Sequence, residues 1–412
     1  FGRGDPPTPT PPPDISAVVE VWSSLSQATP SPGRNPIVEV WNSLSKDFVE
    51  KDELDAGALS QAAIEAMLEL QRDAGEDGKD SLDPTSLSEA AIDGMLDALG
   101  DPYTNFMNSD EYKLYLEDSQ GKFEGIGAGV EEDEGRIVIT EPIPDTPAER
   151  AGILAGDIIL AVDGASTEGW DLYETVLKIR GRKGTTVRLL VLHPDAVEPV
   201  LIEIVRGVIP VESVGWDMLP SEIAYLWISS FNDTTDEALI DALEEIEEQN
   251  AQGIILDLRF NRGGLLSTTV TVASQFLEDG LVLYSADGNG KRIDYEVRSG
   301  GIAPDIPLVV LVNRFSASAS EVLAGALQDH ERAVLIGTNT FGKGSVNLPR
   351  RLSDGSGLYF TIARWYSPNG RLIEGEGLEP DIPVAQNFGN VPDLQLETAH
   401  AYLLAQRVAA SS

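Results

Sequence analysis

The chain has 412 residues, and 68 acidic against 29 basic side chains give it a formal net charge of −39. That balance excludes nucleic acid as a partner, because Lys and Arg are what neutralise phosphates. There is no cysteine, and His193, His330 and His400 are widely scattered, so a disulfide framework, a thiol nucleophile and a Cys- or His-built metal centre are excluded too.

Phe1 to Pro13 read as a Pro-rich extended tether, left after removal of an upstream signal or membrane anchor. The membrane is then a partner only through that anchor, and an extracytoplasmic location is expected. "RGD" at Arg3 to Asp5 is too short to carry a binding role. "VEVWSSLS" (Val19 to Ser26) returns as "VEVWNSLS" (Val38 to Ser45), and "LSQAAIEAML" (Leu59 to Leu68) as "LSEAAIDGML" (Leu87 to Leu96). Their apolar spacing predicts duplicated amphipathic helices that dock on other elements or pair copies of the chain as a homo-oligomer. Gly- and Asp-rich "DAGEDGKDSLDP" separates the second pair.

From Lys122 to Arg206 short β-branched runs, "RIVIT", "DIILAVDG" and "TVRLLVL", predict a small β-rich module with one helix near "WDLYETVLKI". Beyond Val208 strands ("IAYLWI", "GIILDLR", "PLVVLVN", "AVLIG") alternate with helical stretches, 236–249, 265–277 and 318–328. That alternation predicts a mainly parallel α/β core with its site at the carboxyl ends of the strands. Three strand exits qualify: "RFNRGG", "NRFSAS" and "GTNTFGKG".

Three apparent motifs fail on context. "GTNTFGKG" begins like a phosphate-cradling loop, but Gly344 stands where a magnesium-binding Ser or Thr is required, and the following segment is a poor helix. "GIGAG" at Gly125 to Gly129 enters a strand instead of opening a helix, so it is no dinucleotide fingerprint. "SLSK" at Ser43 to Lys46 is a solvated helix face, since its duplicate reads "SLSQ".

A serine in the turn before the helix of "SASASEVLAGALQD" would lie at a helix N-terminus, where N–H groups and the dipole stabilise negative charge; simple N-capping is the plainer role. On a continuous helix His330 lies about 18 Å beyond Ser318 and Asp329 about 16 Å, too far to act as a base. Lys343, at the neighbouring exit, is the remaining candidate if burial keeps it neutral.

With these residues in place, "SASASE…AGALQD…RA…IG…TFGKGSV" resembles the signature of the carboxyl-terminal processing peptidases, Ser-Lys proteases that carry a PDZ domain. "LGDPYTNFM", "FEGIGAGV", "PAERAGILAGDIILAVDG", "ILDLRFNRGG" and "ARWYSPNGRLIEGEGLEPDIPV" extend the likeness along the chain. The resemblance implies an α/β serine protease core with a β-rich PDZ domain and an N-terminal helical region. The expected domains are 1–35 (tether and first helix copy), 36–112 (helical region), 113–207 (PDZ), 208–390 (protease core) and 391–412 (C-terminal helix).

The resemblance also implies site residues: Ser318 as nucleophile, Lys343 as base, and Ser316 and Ser320 in support. Ala319 with Gly263 or Gly264 would form the oxyanion hole, and Gly125, Ile126, Gly127 and Ala128 the peptide-binding turn. Many members orient the lysine with a glutamine four residues on, where this chain has Asn347. The expected substrates are proteins with exposed apolar C-termini, with no cofactor or metal, and the PDZ domain implies gating. The alternative is a PDZ scaffold that binds tails without cutting them.

Overall fold

The computed structural model describes residues 16–26, 35–73, 82–119, 122–133, 135–170, 172–194, 196–210, 213–386 and 392–410. The tether with its RGD, and most of the linker between the second helix pair, lie outside the described residues. The chain divides into two compact units, one of residues 1–113, 213–231 and 235–412, the other of 114–212 with 232–234.

In the larger unit the repeated segments form helices Ser16–Ser26, Pro36–Asp47, Ala56–Asp73 and Pro84–Leu99. Asn35 and Asp83 cap the second and fourth by accepting the Ile37 and Ser86 N–H groups. A proline follows each cap, where its missing N–H is harmless, and Gly100, at φ 72°, ends the fourth helix. Ala66 and Gly94 hold equivalent places in the duplicated sequence and meet each other, since a Cβ on Gly94 would stand 2.7 Å from that of Ala66. The apolar stripes close inward, burying Trp22, Trp41, Met67, Ile92 and Met95 with Leu358 and Phe360. They dock within the chain.

The central sheet runs Val214–Leu219, Ile223–Ile228, Gly253–Asp257, Leu308–Val312, Val334–Gly337, Ile382–Pro383. Its first pair is antiparallel and every later neighbour parallel, as the alternation of strand and helix requires. Asp257 pairs with Leu311, and Val312 with Gly337, so the three predicted strand exits leave the same end of the sheet side by side. Helices Thr235–Glu248, Leu266–Ala273 and Ala319–Asp329 pack a continuous apolar core on one face. The middle helix is shorter than its predicted 265–277; just past its end, Ser274 turns its hydroxyl onto the Val270 carbonyl at 2.6 Å. Helix Leu394–Ala410 covers the other face through Ala399 and Leu403.

A second, antiparallel sheet was not read from the sequence. It orders Asn105–Met107, Gly357–Tyr366, Leu281–Asp287 and Arg292–Glu296, with Ser345–Arg351 also on Gly357–Tyr366. It carries residues on both sides of Lys343.

The smaller unit is the predicted β-rich module. Strands Ala128–Asp133, Arg136–Pro142, Ile158–Val162, Thr186–Leu192 and Val200–Val205 form an antiparallel sheet around Ile137, Ile139, Ile159, Val187, Leu189 and Val191. Lys122–Gly125 pairs separately with Gly207–Pro210, and helix Leu172–Ile179 lies where "WDLYETVLKI" predicts one.

Candidate active site

The three serines of "SASAS" have different fates. Ser316 Oγ donates to the Leu258 carbonyl at 2.8 Å and Ser320 Oγ to that of Asn261 at 2.8 Å, and both are fully buried. They stitch the "NRFSAS" exit to the "RFNRGG" exit. Ser318, between them, is partly exposed and takes φ 56°, ψ −114°, a conformation that L residues avoid. It is the N-cap of Ala319–Asp329, so the strain turns it out at the positive end of the helix.

Glu321 holds this corner together. It is fully buried, yet its Oε1 accepts from Thr340 Oγ1 (2.6 Å) and the Gly342 N–H (2.7 Å), and its Oε2 from the N–H groups of Ser318 (2.8 Å) and Lys343 (2.9 Å). Burial raises its pKa and the four donors oppose that rise. Every partner donates, so the site is built for the ionised carboxylate. Its S-x-x-E spacing from Ser318 is a capping-box signal legible in the sequence, and sequence reasoning missed it.

Lys343 Nζ stands 5.1 Å from the centre of the Tyr103 ring and 5.5 Å from that of Tyr359. Burial pushes its pKa below the ordinary lysine value, against the pull of Asp101, Glu374 and Glu321. The Trp365 indole N–H donates to its carbonyl at 2.9 Å, pinning the backbone. "GTNTFGKG" runs from one strand into the next, Ser345–Arg351, with no helix to receive a phosphate.

Asn347 does not make the expected contact with the lysine. Its Nδ2 donates to the Tyr103 carbonyl (2.9 Å) and Thr361 Oγ1 (3.2 Å), and its Oδ1 accepts from Ser345 Oγ (2.9 Å). One methylene shorter than glutamine, it is engaged with the neighbouring strand and loop instead. Asp329 sits at the far end of the 11-residue helix, accepting from the Asn369 N–H and paired with Arg371.

The "RGG" turn lies directly against Ser318. A Cβ on Gly263 would stand 2.9 Å from Ser318 Cβ and from the Ala319 nitrogen. Gly263 donates its own N–H to Asn261 Oδ1 at 2.8 Å, whereas the N–H groups of Gly264 and Ala319 meet no acceptor among the described residues.

The smaller unit holds a cavity of about 310 Å³, lined by Gly125, Ile126, Gly127 and Ala128 with Val130, Ile143, Val176, Ile179 and Ile209, and by the charged Glu124 and Arg180. Gly127 has φ 80°, and a Cβ there would lie 2.4 Å from that of Thr146, so the turn admits only glycine without rearrangement. Its carbonyl accepts from the Ile143 N–H at 2.9 Å, and that of Ile126 from the Ala148 N–H at 2.7 Å, fixing the turn.

A parallel sheet whose exits gather a strained serine, a buried carboxylate and a half-buried lysine, joined in one chain to a PDZ unit, defines a class of multidomain α/β proteins. Residues 222–384 match peptidase family S41, and residues 113–192 the PDZ domain. The chain is 39% identical over 307 residues to the carboxy-terminal processing protease CtpA of Bacillus subtilis, spanning 74% of this chain and 65% of that protein. It is 38% identical over 292 residues to a carboxy-terminal-processing protease of Bartonella bacilliformis, spanning 69% and 67%. The structure of a photosystem II D1 C-terminal processing protease, 30% identical, matches with a TM-score of 0.57 over 86% of this chain and 94% of that one. This chain belongs to the carboxy-terminal processing proteases of peptidase family S41.

Proposed function

We propose that the chain is a serine endopeptidase that captures the C-terminal tail of a protein in the PDZ cavity and hydrolyses peptide bonds with Ser318 and Lys343. The observation that carries this reading is the single oxygen of Glu321 that receives the N–H groups of both residues. Lys343 in its neutral form, which burial favours, takes the Ser318 hydroxyl proton as Oγ attacks the scissile carbonyl. The oxyanion is held by the N–H groups of Ala319 and Gly264, since that of Gly263 is already given to Asn261. The lysine returns the proton to the departing amine as the C–N bond breaks. Water, deprotonated by the same lysine, then releases the acyl group from Ser318.

The apolar walls of the PDZ cavity favour an apolar tail, and the edge of Ala128–Asp133 offers it a strand to pair with. No described helix is long and apolar enough to cross a membrane. On the family likeness we place the activity outside the cytoplasm, with protein substrates as partners.

The test is mass-resolved digestion of a loosely folded protein with an apolar C-terminal tail by wild type, Ser318→Ala and Lys343→Ala, with tail binding measured in parallel. Cleavage by wild type alone is expected. Tail binding without cleavage by any of the three would sink the protease reading in favour of a scaffold.

A further inference from the structure

We propose that Tyr103 is a positioning residue for Lys343, and that Asn347 acts on the lysine through Tyr103: the amide braces the tyrosine, and its ring fixes the Nζ. The proposal rests on the reading of Lys343 as the base and deepens it.

The argument begins at the register of the second sheet. Asn347 lies opposite Thr361, and the pairing slips between Val346 and Asn347. Such a bulge re-aims side chains, and here the amide reaches the loop before Asn105–Met107 instead of turning back to the lysine four residues earlier. That loop is clamped at both ends of Tyr103. Its carbonyl accepts from Asn347 Nδ2 at 2.9 Å, and its N–H donates to Asp101 Oδ1 at 3.2 Å. Asp101 Oδ2 also accepts from Thr104 Oγ1 (2.6 Å) and Thr361 Oγ1 (2.5 Å), and Thr361 in turn accepts from Asn347. Asn347, Thr361, Asp101 and Tyr103 thus form one closed network that fixes the Tyr103 main chain from which the ring projects.

The network's output is the ring placed over Nζ. Tyr359, two residues before Thr361 and on the same face of its strand, presents the second ring. Among the described residues no hydrogen-bond acceptor or ion-pair partner holds the ammonium, so the rings are its positioning contacts.

Two effects of a ring oppose each other. Its π face favours the cation by about 0.5–2 kcal/mol. Its bulk excludes water, which disfavours the cation by up to ~3–5 pKa units at full burial. Asp101, Glu321 and Glu374 also favour the cation, and Tyr103, with its own phenol pKa raised by burial, stays neutral beside them. Desolvation outweighs the rest at Lys343, so removing the ring should return the lysine toward its ordinary behaviour.

The experiment compares pH–rate profiles of wild type, Tyr103→Ala, Tyr103→Phe and Asn347→Ala on a tail-bearing peptide. A second readout, NMR titration of the reductively 13C-methylated Lys343 assigned by its loss in Lys343→Ala, needs no turnover. Tyr103→Ala and Asn347→Ala should shift the ascending limb and the NMR midpoint upward by about one unit, costing ~10-fold in rate near neutral pH. Tyr103→Phe should restore most of what Tyr103→Ala loses, and Asn347→Ala carries the test if the alanine variant at 103 fails to fold. An unmoved NMR midpoint in Tyr103→Ala, or a phenylalanine variant as shifted as the alanine one, would overturn the proposal. Full cleavage by Lys343→Ala would instead overturn the lysine's role as base, and the titration would still decide what Tyr103 does.

Discussion

The main-chain N–H groups of Ser318 and Lys343 share one acceptor, Glu321 Oε2, at 2.8 and 2.9 Å. Two residues 25 positions apart in the chain are thereby set by a single carboxylate, whose other oxygen takes Thr340 and Gly342. Glu321→Gln keeps the shape but turns one acceptor into a donor, stranding two buried donors at about 1–3 kcal/mol each. The variant should melt roughly 5–15 °C lower and lose ~100-fold in kcat with little change in KM. Scanning calorimetry and steady-state kinetics check both. A variant that melts and turns over like wild type would remove Glu321 from the account.

Burial holds the Lys343 pKa below its ordinary value of 10.5. A base works deprotonated, so the rate should rise with pH through that lowered pKa and level off before 10.5, with the lysine as the group responsible. Lys343→Arg keeps the charge but cannot give up its proton, and should lose at least ~1000-fold at every pH. An arginine variant with measurable turnover and the same limb would assign the base elsewhere.

Much of this arrangement was legible because local signals agreed with the tertiary structure. "GIILDLR", "PLVVLVN" and "AVLIG" are continuous apolar runs, which only a sheet covered on both faces accommodates, and they lie parallel in the core. The helix-start position pointed to the serines of "SASAS" and the elimination of His330 and Asp329 by distance left Lys343 as a candidate base, while the choice of Ser318 among the three came from the family resemblance. The antiparallel sheet was not, because its long strand Gly357–Tyr366 takes partners from residues 105, 284 and 345, pairings that no local period encodes. Asn347 illustrates the same limit. Its spacing from Lys343 suggests a direct contact, and a register slip in that sheet sends it to Tyr103.

The "RGG" turn tolerates no side chain. Gly264 has φ 149°, and a Cβ there would stand 2.0 Å from the Phe231 carbonyl oxygen, so Gly264→Ala must displace the turn. Moving the proposed oxyanion donor should cost ~100- to 1000-fold in kcat, while tail affinity in the PDZ cavity stays put. Pre-steady-state acylation with an activated ester reads the first effect, and fluorescence anisotropy with a labelled tail reads the second. Full acylation by the alanine variant would exclude Gly264 as a donor.

Tail recognition should be separable from chemistry. Val176, half-buried on Leu172–Ile179, is one wall of the 310 Å³ cavity, and Val176→Trp places a large ring in space an apolar tail side chain would fill. Burying one such side chain is worth about 1.5–3 kcal/mol, so the tail should bind ~10- to 150-fold more weakly. A short peptide without an apolar tail asks nothing of the cavity. Its hydrolysis should be unchanged in the variant, whereas that of the tailed protein should fall with the affinity. Equal losses on both substrates would mean that the PDZ unit supports the protease core structurally and does not select tails, and intact tail affinity would place the tail outside this cavity.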